Sequence, residues 1–195
     1  MTVRTKPYVT PEEYLALERA AETRSEYLNG EIIGLTGASR SHSLITLNVG
    51  SELARQLEDR PCEVHVNDLR VLIAARRLYT YPDVIVVCGE PALTDRYRDT
   101  MTNPTVLIEV LSPSTEAYDR GAKFGHYRTL DSLREYLLVS QDQPHVEHFI
   151  RQDDSHQWLL SEATDLAASI VLPSIECQLA MARIYRKVRF GETEP

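Results

Sequence analysis

Three charged residues, far apart in the sequence, have the chemical types that metal-dependent hydrolysis requires. Asp83 follows a proline at the start of the strand-like run VIVV, and Glu109 stands inside the apolar run VLIEVL. If the two strands are neighbours, their carboxylates can converge on one divalent ion, and an all-oxygen ligand set favours Mg²⁺ or Mn²⁺ over Zn²⁺. We therefore expect a metal-binding pair of carboxylates where these strands meet, with Lys123 beside it.

The lysine is predicted to reach this pair from the following helix. Asp119, Lys123 and Tyr127 are spaced four residues apart, which places them on one face of a helix. Phosphodiester hydrolysis needs a water deprotonated near neutral pH and compensation of the negative charge that develops on the phosphate, and a bound metal with an adjacent ammonium group can supply both. The residue types thus indicate Asp83, Glu109 and Lys123 as catalytic, with Asp119 and Tyr127 in support.

Each of these residues also has a purely structural interpretation. Glu109 could be a buried structural acid paired with Arg120 or Lys123, because a charge in a strand covered on both faces must be compensated. Asp119 and Lys123 could form an exposed helical ion pair worth only about 0.3–0.5 kcal/mol. A proline and an aspartate before a strand more often mark a turn than a ligand. The interpretation of Asp83 as a metal ligand therefore depends on the presence of Glu109.

Further candidates lie near the start of the chain and on a later strand. Glu26 and Glu31 flank a turn, and their separation of five places them on opposite faces, so at most one should serve the site. His42 begins a helix, where the helix N-terminus disfavours imidazolium, and we expect it to cap the helix or contact a phosphate. His145, Glu147 and His148 also have side chains that can bind metals. On a strand, His145 and Glu147 share a face and His148 points away, so we interpret all three as surface residues.

The elements that position these residues are predicted from turn signals and apolar periodicity. The segment from Thr10 to Glu13 matches an N-cap, a first-turn proline and a capping box, so a short helix begins there. Asn29-Gly30 is the pair best suited to a type I′ turn and predicts a β-hairpin between Arg24 and Thr36. Apolar residues at near-helical spacing predict the first long helix from Ser41 to Leu57.

β-Rich runs separated by polar or proline-containing connections predict one central sheet. A helix from about Tyr118 to Leu130 precedes a strand from Glu135 to Ser140, a passage typical of a mixed α/β (α+β) sheet. We predict one domain over residues 1–195, with a core from about 10 to 188. The other predicted elements are strands at Cys62–Val66, Leu69–Ile73, Tyr79–Val87, Thr105–Leu111, Val146–Ile150, Gln157–Leu160 and Ile170–Leu172, and a final helix from about Pro173 to Val188.

Composition limits the partners and the location. The chain has 21 basic and 29 acidic residues, so a nucleic-acid ligand must be met by a local basic patch or by bridging metal ions. No stretch approaches the roughly 18 apolar residues of a membrane span and the start is polar, so we expect a cytoplasmic protein. Cys62, Cys88 and Cys177 are odd in number and form no CxxC pair, which favours buried free thiols over disulfides.

Five motifs together resemble the Uma2 family of nucleases, which belongs to the PD-(D/E)XK superfamily. They are SEYLNGEI, ASRSHSLI, YPDVIVV, LIEVLSPST and DRGAKFGHY, within a resemblance that covers about Thr10 to Tyr185. The resemblance implies a restriction-endonuclease-like fold: a central mixed β-sheet flanked by helices, with an N-terminal helix and β-hairpin. It also implies a Mg²⁺- or Mn²⁺-dependent endonuclease that acts on nucleic acid, with DNA favoured. A homodimer is expected, because cutting both strands requires two sites.

The resemblance also assigns residues. It makes Asp83 the motif aspartate and Glu109 the motif glutamate, with the backbone carbonyl of Val110 as a further metal ligand and Glu26 as an extra acidic ligand. The three metal ligands beyond Asp83 would thus come from two different strands.

One departure from the motif matters for activity. The ordinary motif is Glu-x-Lys, but Leu111 stands two positions after Glu109, and Lys123 of the next helix is the substitute that the superfamily tolerates. The absent lysine and the acidic balance keep two alternatives open. These are an inactive nuclease-like binding or assembly module and a metal-dependent phosphoesterase for a small substrate.

Overall fold

β-Strands form most of the framework in the computed structural model, which describes residues 7–152 and 156–191. The strands are β1 (Ser25–Leu28), β2 (Glu31–Gly34), β3 (Cys62–Val66), β4 (Arg70–Ile73), β5 (Leu78–Thr80), β6 (Val84–Cys88), β7 (Thr100–Met101), β8 (Val106–Leu111), β9 (Glu135–Ser140), β10 (Val146–Arg151), β11 (Trp158–Ala163), β12 (Ser169–Leu172) and β13 (Cys177–Ala180). They form a six-stranded sheet, β11-β10-β9-β8-β6-β3, a five-stranded sheet, β2-β1-β5-β4-β7, and the hairpin β12-β13.

One long helix, α2, and several shorter helices and turns connect and cover these sheets. They are α1 (Pro11–Ala20), α2 (Arg40–Gln56), α3 (Glu116–Tyr118), a π-helical turn (Asp119–Lys123), α4 (Phe124–Tyr127), α5 (Met181–Ile184) and 3-10 turns at Ala74–Arg76 and Pro173–Ile175. In the two described ranges, none of the helices has the length and apolar content needed to span a bilayer.

The local signals near the start of the chain are confirmed. The Thr10 hydroxyl accepts a hydrogen bond from the Glu13 amide at 3.2 Å, and the Glu13 carboxylate accepts one from the Thr10 amide at 2.8 Å, which completes the capping box. Asn29 and Gly30 have positive φ angles of 45° and 101°, as a type I′ hairpin turn requires, and join β1 to β2.

The six-stranded sheet is the centre of the core, because it is covered on both faces. Helix α2, α5 and the β12-β13 hairpin pack on the face that carries Val84, Val86 and Ile108. Residues around α4 and the five-stranded sheet pack on the face that carries Ile85 and Leu107. Strand β8 is therefore buried along its whole length, as its apolar run predicts.

The predicted mixed α+β fold with a central sheet is confirmed, but the predicted strands do not all join one sheet, because the predicted strand Tyr79–Val87 is two strands. Tyr81-Pro82-Asp83 separates β5 from β6, and these two strands enter different sheets. Proline has no amide hydrogen to donate to a ladder, so the break falls where Pro82 stands. Glu26 on β1 therefore lies in the five-stranded sheet, whereas Asp83 lies just before β6 of the six-stranded sheet.

Two helix predictions also need correction. The helix predicted from Tyr118 to Leu130 begins earlier, at Glu116, ends at Tyr127 and contains the π-helical turn. The final helix predicted from Pro173 to Val188 is largely absent: a 3-10 turn, β13 and the short α5 replace it. Alternating burial along β13 gives a period of two, and its pairing with β12 overrides the helical reading.

The prediction of free thiols is wrong for two of the three cysteines. Cys62 and Cys88 form a disulfide between β3 and β6, where the antiparallel register places them directly opposite each other. They are 26 residues apart in sequence, so their adjacency depends on strand pairing and not on local spacing. Cys177 is a buried free thiol, as predicted.

Candidate active site

The site begins where β6 and β8 bring two carboxylates together. These antiparallel strands pair Val84 with Ile108, and one step further along the same register Asp83 faces Glu109. Directly opposed residues on antiparallel strands share a face. The Asp83 carboxylate is fixed by a hydrogen bond that it accepts from the Val110 amide at 2.7 Å.

Lys123 reaches Glu109 from the π-helical turn and contacts three carboxylates in all. Its Nζ atom lies 3.0 Å from Glu109 Oε1, 3.3 Å from Asp119 Oδ1 and 3.4 Å from Glu26 Oε1. All four side chains are buried, at 7% exposure or less. The alternative of an exposed Asp119–Lys123 pair is therefore wrong. The partner of Glu109 is Lys123 and not Arg120, because Arg120 pairs with Glu116 and Glu147.

Hydroxyl groups connect the carboxylates to one another. The Tyr127 hydroxyl donates to Glu109 Oε1 at 2.6 Å, and the Thr80 hydroxyl donates to Glu26 and lies 3.4 Å from the Tyr127 oxygen. The Tyr136 hydroxyl donates to the Asp119 carbonyl at 3.2 Å. Orientation of Glu26 and Glu109 thus depends on the five-stranded sheet as well as on the six-stranded one.

Thr80 was missed by reasoning from sequence. It lies on β5, and the pairing of Tyr27 with Tyr79 brings it opposite Glu26 one step further along the register. The signal in the sequence is a hydroxyl residue within an otherwise apolar strand, LYTY, which is weak without knowledge of the β1–β5 pairing.

Burial and mutual charge shift the pKa values in the site. Burial raises the pKa of Glu109, Lys123 opposes that shift, and the neighbouring Asp119 and Asp83 carboxylates reinforce it. Burial by itself would lower the pKa of Lys123, but Glu109, Glu26 and Asp119 together raise it well above its ordinary value. Lys123 is therefore a fixed positive charge at neutral pH.

His42 lies on the more open side of the site. The Ser39 hydroxyl caps α2 by accepting from the His42 amide at 3.0 Å, and His42 Nε2 lies 3.3 Å from Asp83 Oδ2. Burial lowers the pKa of His42, but hydrogen bonds and charge from Asp83 and the Val110 carbonyl raise it by more than burial lowers it. The pKa of His42 is therefore above its ordinary value. The contacts of His42 with Asp83 and Val110 therefore favour the imidazolium form, against the effect expected from the helix N-terminus alone.

The remaining candidates separate into exposed and buried residues. Glu31 is exposed on β2 whereas Glu26 is buried, so one of the two reaches the site, as expected. His148 is not a surface residue: it is buried and bonded to Glu135 at 2.5 Å. His145 and Glu147 are partly buried and have ligand atoms within 4.8 Å of Glu162, but Glu147 is already paired with Arg120.

Comparisons with known proteins agree with this architecture. A family model described as "Putative restriction endonuclease" matches residues 11–182. A crystal structure of a protein from Anabaena variabilis, described as a putative nuclease, superposes with a TM-score of 0.72 at 20% identity, and the match covers 91% of this chain and 97% of that one. The fold is therefore that of the restriction-endonuclease-like class of α+β proteins.

Two proteins of Synechocystis sp., both described as uncharacterized, are similar in sequence. One is 43% identical over 162 residues, which are 83% of this chain and 91% of the relative, and the other is 37% identical over 186 residues, 94% and 95% of the two chains. Together with the family match, these similarities mean that the chain belongs to the Uma2 family.

Proposed function

We propose that this protein is a metal-dependent endonuclease that hydrolyses phosphodiester bonds in DNA, with Asp83, Glu109 and Lys123 at the centre of its active site. The family description supports the reaction class, as does the description of the structurally similar Anabaena variabilis protein as a nuclease. Metal dependence and the DNA substrate are parts of this proposal, as is a homodimer that presents one site to each strand.

The observation that carries the proposal is an excess of buried negative charge. Four carboxylates meet at the site, from Glu26, Asp83, Glu109 and Asp119, and Lys123 is the permanently charged cation among them. Burying uncompensated carboxylates is costly, and a protein that retains them needs further positive charge or proton uptake. A divalent cation next to Asp83 and Glu109 would supply that charge.

The available donors fit such an ion. Asp83 just before β6 and Glu109 on the adjacent β8 offer carboxylate oxygens, and the Val110 carbonyl binds His42, which contacts Asp83. With Glu26, these carboxylate and carbonyl groups form an all-oxygen set that suits Mg²⁺ or Mn²⁺. When bound, the metal ion would lower the pKa of a water molecule and neutralise charge on the phosphate. Asp83 is 16% exposed and the others are almost fully buried, so a substrate would approach from the Asp83 side.

The other side chains have roles that follow from their contacts. Lys123 is the common cationic partner of Glu26 and Glu109 and offsets the repulsion between them. Its ammonium group can orient the attacking water or stabilise negative charge on the phosphate. Tyr127 fixes the orientation of Glu109 through its 2.6 Å hydrogen bond. His42 contacts Asp83 at the open side, where a phosphate would enter.

The test combines metal binding with cleavage. Mn²⁺ is titrated calorimetrically into the wild-type protein and into Asp83→Ala, Glu109→Ala and Glu31→Gln variants, and the same preparations are assayed on supercoiled plasmid DNA. Glu31 is the matched control, since it is an exposed acid on the same hairpin as Glu26. We expect stoichiometric binding and cleavage for the wild type and the control, and loss of both for the two alanine variants.

Other outcomes would identify the alternatives. Absence of specific Mn²⁺ binding by the wild type would overturn the metal-nuclease proposal and favour an inactive binding module. Metal binding without plasmid cleavage, together with hydrolysis of a small phosphodiester, would overturn the DNA substrate and favour a small-substrate phosphoesterase.

A further inference from the structure

Tyr118 has a buried hydroxyl group that no group of the described structure binds. The phenol oxygen has essentially no solvent-accessible surface and no hydrogen-bond partner, although the ring is partly exposed. Leaving a buried hydroxyl unpaired is unfavourable, so such a group in a folded protein calls for an explanation. The other two tyrosines at the site differ, because Tyr127 donates to Glu109 and Tyr136 donates to the Asp119 carbonyl.

The position of Tyr118 relates this hydroxyl to the proposed active site. Tyr118 ends α3, immediately before the π-helical turn that carries Asp119 and Lys123. Lys123 Nζ lies 6.0 Å from the centre of its ring. Burial and then the negative charges of Glu26, Asp119 and Glu109 raise the pKa of Tyr118 to about 12, which keeps its proton on the oxygen at neutral pH.

Among the described residues, none of the protein's own acceptors at this place binds the Tyr118 hydroxyl, and the carboxylates of Glu26, Glu109 and Asp119 all pair with Lys123. Glu109 accepts from Tyr127 and pairs with Lys123, and Glu26 accepts from Thr80 and pairs with Lys123. Tyr118 therefore offers a neutral donor, on a ring whose centre lies 6.0 Å from the Lys123 ammonium nitrogen, to an acceptor that arrives from outside. A phosphate oxygen is an acceptor of this kind, because it is anionic and binds most strongly where hydroxyl and ammonium donors converge.

We propose that the Tyr118 hydroxyl donates a hydrogen bond to a phosphate oxygen of the nucleic-acid substrate bound at Lys123. This inference rests on the proposed function and adds a substrate-binding residue to it. The ring of Tyr118 is partly exposed, which places this residue at the edge of the site beside Lys123.

The experiment compares Tyr118→Phe with Tyr136→Phe and the wild type. The first substitution removes a buried hydroxyl with no partner in the free protein, so the urea midpoint should stay the same or rise and the Mn²⁺ affinity should stay unchanged. Loss of a hydrogen bond to a charged group should lower kcat/KM for plasmid cleavage by about tenfold or more. It should also weaken binding of a fluorescent duplex in the presence of Ca²⁺ by a similar factor. Tyr136→Phe, which loses a structural hydrogen bond, should lower the urea midpoint.

The outcomes separate this inference from the function on which it rests. Wild-type cleavage with an unchanged kcat/KM in Tyr118→Phe would overturn the assignment of Tyr118 and leave the nuclease proposal standing. A lower urea midpoint in Tyr118→Phe that accounts for the lost activity would also overturn it, because the role would then be structural. No cleavage by the wild type would overturn the proposed function and the Tyr118 assignment together.

Discussion

Replacing Lys123 by methionine tests the electrostatic structure of the site directly. The substitution keeps the length of the apolar stem but removes the ammonium group that lies within 3.4 Å of three buried carboxylates. Removing one partner of a buried ion pair typically costs about 3–5 kcal/mol, because the remaining charge is left without compensation. We expect a loss of that size in the free energy of unfolding at about pH 9.5 in the presence of a chelator.

The loss of unfolding free energy in Lys123→Met should depend on pH, and the direction of this dependence follows from the pKa of Glu109. Its pKa in the folded protein is raised above the unfolded value, so the protonated form stabilises the fold at low pH and this contribution is lost as pH rises through the folded pKa. Without Lys123, which opposes the shift, the pKa should rise further. The destabilisation should therefore be smaller at about pH 7 than at about pH 9.5, because the two folded proteins differ in protonation only above the wild-type pKa of about 8.

The assay is urea unfolding followed by far-ultraviolet circular dichroism, at both pH values with chelator present. Lys187→Met is the matched control, because Lys187 is exposed and its replacement should change stability by no more than about 0.5 kcal/mol. The double variant Glu109→Gln/Lys123→Met should recover part of the loss, since one of the uncompensated carboxylates is then absent. A loss below about 1 kcal/mol for Lys123→Met at the higher pH would refute the reasoning, because that is the range of exposed pairs.

Three further predictions concern stability elsewhere in the fold. Cys62→Ala/Cys88→Ala should lower the free energy of unfolding by about 3.5 kcal/mol, from the chain-entropy estimate for a 26-residue separation. Reductant should lower the urea midpoint of the wild type but leave that of the double variant unchanged. An equal response of the two proteins to reductant would contradict this prediction. Two arginines hold the pKa of Asp99 well below its usual range, so this carboxylate stabilises the fold above its unfolded pKa of about 3.9, and stability is lost as pH falls below that value. Asp99→Asn should flatten the acid limb of a stability–pH curve, and an unchanged limb would rule out this role. Gly30→Ala should lower the free energy of unfolding by about 1–3 kcal/mol, because φ is positive and the new Cβ would lie 2.2 Å from the Tyr8 ring. An unaltered midpoint in thermal or urea unfolding would show that the turn adjusts without cost.

Local signals in the sequence were sufficient for elements whose contacts lie within a few residues. The capping box at Thr10 and the Asn29-Gly30 turn were predicted correctly, because their hydrogen bonds and backbone angles depend on neighbours in the chain. The buried character of β8 also followed from its composition, and with it the need of Glu109 for a partner. Tertiary contacts were needed to choose Lys123 over Arg120 as that partner.

Pairing between distant segments was not predictable in the same way. The division of one predicted sheet into two, the disulfide between Cys62 and Cys88 and the contact of Thr80 with Glu26 all depend on which strands become neighbours. A period of two over the four residues of β13 is too short to exclude a helix, and only its pairing with β12 decides the conformation.

The sequence by itself determined the chemical types at the site, because carboxylates, an ammonium group and apolar strands each have a characteristic pattern along the chain. It also determined the order in which the elements follow one another. The tertiary structure decided how those groups combine: the strand register places Asp83 opposite Glu109, and the π-helical turn places Lys123 among three carboxylates while Tyr118 keeps an unused donor. The physical reason is that charge compensation and hydrogen bonding act over a few ångströms in space, and residues far apart in sequence reach that distance only in the folded chain.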